Sequence, residues 1–84
     1  MSELSEKKEL ADAADGLLKD PAFSAAVLSL RKRWFDELIA TNQEGVVMQR
    51  KAMIQALEAI PAELTTMVTD YKFAAKRAAA KPNA

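Results

Sequence analysis

The chain contains neither cysteine nor histidine. Disulfide stapling is excluded, the commonest zinc ligand is missing, and nucleophilic or general-base chemistry loses its two usual side chains. Glycine occurs only at Gly16 and Gly45, so there is no glycine-rich loop to cradle a phosphate. No apolar run approaches the about 18 residues that a membrane-crossing helix needs. The opening Met1-Ser2-Glu3-Leu4 lacks the basic-then-apolar order of a signal peptide, and the expectation is a soluble, intracellular protein. Net charge is also absent, because 12 basic residues balance 12 acidic ones.

What is present favours helix. Ala, Leu, Glu and Lys dominate the 84 residues, and β-branched residues never alternate with polar ones over the length of a strand. One domain, residues 1–84, is all that this length allows, and a domain so small buries little of its surface unless packing is very regular or a partner helps.

The helices can be placed from their punctuation. The first is predicted over 5–19, capped near Ser2 or Ser5, with Leu10, Ala14, Leu17 and Leu18 as its apolar face. Asp20-Pro21 is a boundary: proline disfavours helix in the residue before it and suits the first position of a new one, with Asp20 as cap. The second helix is predicted over 21–41, with an inner stripe of Phe23, Val27, Leu30, Trp34, Leu38 and Thr41. Asn42 is a good cap residue, and Thr41 with Glu44 has the form of a capping box. The third helix is predicted over 43–79. Its seam is Val46, Met53, Leu57, Ile60, Leu64, Met67, Tyr71, Ala74 and Ala78, with Arg50 as one polar interruption. Arg50 is read as a snorkelling residue at the seam edge. The phase is kept through Pro61, which predicts a kink and not a chain reversal. Residues 81–84 are expected to fray.

Folding at Asn42 brings Pro21 and Pro61 to nearly the same height on opposite arms. It also sets residues 1–20, three basic against six acidic, beside residues 61–84, four basic against two acidic. The expected fold is an all-α, bent antiparallel helical hairpin, and a compact three-helix bundle is the alternative.

Nothing points to catalysis. Ser2, Ser5, Ser24 and Ser29 have no evident activating neighbour, and Asp12 with Asp15 reads as a solvated helix face. No cofactor or metal is expected. Trp34 and Phe35 are adjacent and so point to different sides of their helix, with Phe35 sharing a second stripe with Leu28 and Ile39. Either the first helix covers that stripe, or it stays exposed as a docking face. Leu28, Trp34, Phe35 and Ile39 are therefore the candidate protein interface, facing a second copy or another protein. Met53 and Met67 read as seam residues, whereas Met48 lies off the seam. Arg31, Lys32 and Arg33, with Arg50 and Lys51 expected near the same level, are the candidate nucleic-acid contacts. Asp36, Glu37 and Glu44 lie close enough to screen them.

The segment Gly16-Leu17-Leu18-Lys19-Asp20-Pro21-Ala22-Phe23, followed by Leu30-Arg31, resembles the opening of short helical proteins encoded by tailed bacteriophages and prophages. So does the closing stretch Leu57-Glu58-Ala59-Ile60, Glu63-Leu64, Met67-Val68 and Asp70-Tyr71-Lys72. The resemblance covers about two-thirds of the chain. It implies a non-enzymatic accessory role in particle assembly, at the head or packaging apparatus, in the cytoplasm of a bacterial host or in the virion. It transfers no site residues. Two other readings stand beside it: a DNA-associating packaging accessory using the basic cluster, and a phage-encoded inhibitor of a host protein.

Overall fold

A computed structural model of the chain describes residues 3–80. The expectations of Ser2 as a cap and of fraying over 81–84 lie outside the described residues. Those residues form three helices: α1, Glu3–Lys19; α2, Pro21–Ala40; and α3, Glu44–Ala80. The all-helical expectation holds, and each boundary falls within two residues of its predicted place.

The α1–α2 boundary forms as its residue types require. Asp20 leaves helical geometry at φ −73° and ψ 121°, and its Oδ1 accepts from the amides of Ala22 at 2.8 Å and Phe23 at 3.0 Å. Pro21 fills the first helical position, where no amide hydrogen is needed. The α2–α3 turn differs from the expected capping box. Thr41 Oγ1 accepts from Gln43 N at 3.2 Å, and the first α3 amide bond runs from Val47 N to the Gln43 carbonyl at 3.0 Å. The chain therefore starts α3 one residue later than predicted, after a hydroxyl-closed turn.

Inside α3, Pro61 cannot donate to the Leu57 carbonyl, yet the helix continues on both sides of it. The next two threonines bond backward: Thr65 Oγ1 donates to the Pro61 carbonyl at 2.9 Å and Thr66 Oγ1 to the Ala62 carbonyl at 3.1 Å. Such back-bonds, one turn beyond the carbonyl that Pro61 leaves without a donor, favour bending.

Both α1 and α2 lie chiefly against α3, and they touch each other far less. Leu18 and Phe23, which flank the Asp20-Pro21 break, line one cavity with Pro61, so Pro61 stands opposite that break. Arg31 pairs with Glu58 at 3.1 Å and Arg50 with Glu37 at 2.7 Å, which fixes α2 and α3 as antiparallel neighbours. The molecule measures 65 × 25 × 19 Å with a radius of gyration of 18.3 Å. A compact 84-residue domain would have a radius of about 12 Å.

The core is thin. Only Ala11, Ala14 and Leu57 are buried among the described residues. Two expectations need correction here. In α1, Leu10 and Leu17 are 58% and 44% exposed, and the face turned inward is Leu4, Lys7, Ala11, Ala14 and Leu18. Alanines at the contact let α1 approach α3 more closely than leucines would. In α3, Ile60 is 49% exposed and Pro61 takes its place between Leu57 and Leu64. Both assignments satisfy a 3–4 spacing, but only one brings the proline ring against the α1–α2 break.

The charge asymmetry between the ends is not resolved by direct pairing. Among the described residues no ion pair joins α1 to α3. Two of the three α1 lysines pair within their own helix, Lys8 with Asp12 at 3.1 Å and Lys19 with Asp15 at 2.8 Å. The hydrogen bond and charge of Asp12 raise the Lys8 pKa, with a smaller contribution from Tyr71 on α3, and Asp15 acts likewise on Lys19.

Candidate interaction surface

The inner stripe of α2 is as expected: Phe23, Val27, Leu30, Trp34 and Leu38 are all half-buried toward α3. Trp34 therefore belongs to the seam side and not to the outward face. The second stripe is uncovered. Leu28 is 61%, Phe35 52% and Ile39 65% exposed, and α1, which could have lain over them, runs along α3 instead.

Leu28, Arg31, Lys32 and Phe35 line an open groove of about 470 Å³ on this face. It joins at Leu28 to a second hollow of about 240 Å³ lined by Leu18, Phe23, Ser24, Val27 and Pro61. The floor is apolar and one wall is basic. Arg31 is tied across to Glu58, so the wall is held by an interhelical ion pair and Lys32 supplies its unpaired charge.

The basic cluster is divided by the fold. Glu58 stands opposite Arg31, whereas Arg50 stands opposite Glu37, about 12 Å away along α3 at the helical rise. Arg50 and Lys51 are thus not at the level of residues 31–33, contrary to the expectation, because the short turn places residue 50 beside residue 37. Arg50 does more than snorkel. Its side chain is only 24% exposed; Nε donates to Glu37 Oε1 at 2.7 Å, and Nη1 lies 3.1 Å from Gln49 Oε1 and 3.3 Å from Met53 Sδ. Two of the five cations are therefore spent on internal pairs, and Lys32, Arg33 and Lys51 remain without an ion pair among the described residues.

Sequence reasoning missed Phe73, which is 61% exposed on α3 between Lys72 and Lys76 over a hollow of about 250 Å³. The signal was its position off the seam, three residues from Asp70 and from Lys76. Met53 and Met67 are half-buried in the seam, and Met48 is exposed. Among the described residues no group of three or more acidic side chains is placed to hold a metal, and no helix is long and apolar enough to cross a membrane.

In comparisons with protein families, with curated proteins and with solved structures, the chain matches none.

Proposed function

We propose that the chain is a non-enzymatic helical interaction module that acts by presenting the outward face of α2 to another protein chain. One observation carries this reading. The chain exposes 6571 Å², whereas a compact monomer of 9.2 kDa exposes about 4,900 Å². The excess is about 1,600 Å², against the about 800 Å² per partner of a standard interface. Leu28, Phe35 and Ile39 are exposed apolar side chains on α2, at roughly 25 cal/mol for each apolar Å² that a partner removes from water.

The shape is that of a bent hairpin: α1 and α2 form one arm, broken at Asp20-Pro21, and α3 forms the other, bent at Pro61. The elongated shape and the sparse contact between α1 and α2 support this arrangement over three mutually packed helices. The setting implied by the phage resemblance is particle assembly, as a small structural component of the head or packaging apparatus.

The test is solution mass by light scattering over a dilution series, with and without short duplex DNA at two salt concentrations. A mass that is a multiple of 9.2 kDa and indifferent to DNA is expected. A mass that rises only with DNA and falls back steeply in salt would overturn the reading and transfer the function to Lys32, Arg33 and Lys51.

A further inference from the structure

The exposed stripe on α2 is longer than its three large residues. Pro21, Ala25, Leu28, Lys32, Phe35 and Ile39 are all exposed and follow steps of 4, 3, 4, 3 and 4. That is a heptad seam with nothing against it, parallel to a filled one on the same helix. Its single charged member is Lys32, and Asp36 lies one turn on, also exposed and without an ion pair among the described residues.

We propose that a second copy of this chain covers this stripe, with the two α2 helices antiparallel and Leu28 of each copy layered against Ile39 of the other. The proposal rests on the interaction reading above and names its partner. Charge selects the orientation. A parallel pairing would set Lys32 on Lys32 and Asp36 on Asp36. The antiparallel pairing with Leu28 on Ile39 sets Lys32 against Phe35 of the other copy, where the ammonium can lie over the ring. It also brings Lys32 beside Asp36 of the other copy. The four central layers then hold Leu28 with Ile39 or Lys32 with Phe35, while Pro21 and Ala25 lie beyond the end of the other copy's α2. The apolar area to be covered is that of Leu28, Phe35 and Ile39, each more than half exposed on the single chain. Neither Lys32 nor Asp36 is needed inside a single chain, so both can be changed without touching its seam.

Because the chain has no cysteine, introduced thiols report alone. Leu28→Cys chains are mixed with Ile39→Cys chains and oxidised gently. The mixed disulfide is expected to exceed either same-variant disulfide at least about tenfold. Predominant Leu28→Cys self-linkage in a protein that is dimeric by mass would overturn the antiparallel register and leave the interaction reading standing. A monomeric mass at all concentrations, without linkage, would overturn the second copy as partner. The companion test is charge reversal. Lys32→Glu is expected to weaken dimerisation roughly tenfold, by replacing an attraction with a repulsion at two symmetric places. Adding Asp36→Lys is expected to restore it. Failure of the double change to restore it would refute the proposed pairing.

Discussion

Phe35→Ala tests whether the outward face of α2 is an interface or ordinary surface. Phe35 is 52% exposed in the single chain. An aromatic side chain buries roughly 200 Å² when fully covered, so a partner would remove about 100 Å² more from water. At about 25 cal/mol per Å² that is about 2.5 kcal/mol, or about 2 kcal/mol after the methyl group that alanine keeps. If the partner is a second copy, the loss occurs twice, and about 4 kcal/mol corresponds to about a thousandfold in dissociation constant. Imperfect burial and repacking reduce this, and a shift of about a hundredfold is the lower bound that the reasoning tolerates.

The assay is a dilution series followed by sedimentation for mass and circular dichroism for helix. The expected result is a dissociation midpoint moved to higher concentration by that factor, with unchanged helicity where both proteins are associated. An unchanged midpoint would mean that Phe35 is solvated in every state. A lowered thermal midpoint at constant mass would mean that Phe35 stabilises the single chain instead, and either result refutes the argument from exposed area.

Leu57 is the one large side chain that is buried among the described residues, so Leu57→Ala should cost about 2–5 kcal/mol in a urea melt, enough to unfold much of so small a domain. Asp20→Ala removes the acceptor of two amides and should cost about 1 kcal/mol, whereas Asp20→Asn should cost far less; equal losses would deny the capping role. Pro61→Ala returns an amide hydrogen to the Leu57 carbonyl and should raise thermal stability, by up to about 3 kcal/mol; a lowered midpoint would show that the proline ring beside Leu18 and Phe23 is worth more than the bond it removes.

Three features were legible in the sequence because short-range chemistry decides them. Asp20-Pro21 breaks and restarts the helix with two side-chain caps, as the residue types demand. The α2 inner stripe and the exposed Leu28, Phe35 and Ile39 follow from spacing alone, since a helix cannot turn Trp34 and Phe35 to the same side. The level of Pro61 follows from chain length on either side of a short turn. What failed was the choice between two phases of equal spacing. Residue size favoured Ile60 over Pro61, and geometry at the α1–α2 break decided the other way.

The α1 error shows why the same reasoning exposes a surface when it misplaces a core. Ranking by hydrophobicity put Leu10 and Leu17 inside, because Lys7 interrupts the alternative line of Leu4, Lys7, Ala11, Ala14 and Leu18. The structure takes that alternative line, whose lysine is half-buried and whose alanines are buried. The small side chains of Ala11 and Ala14 let α1 lie close along α3, and at its N-terminal end Leu4 and Lys7 share a hollow with Ala74 and Ala78. The leucines displaced from the contact then become exposed area. A thin fold built on alanine contacts thus holds its arms together with its smallest side chains and leaves Leu10, Leu17, Leu28, Phe35 and Ile39 facing outward. That distribution supports the proposal that the chain completes its core against another chain.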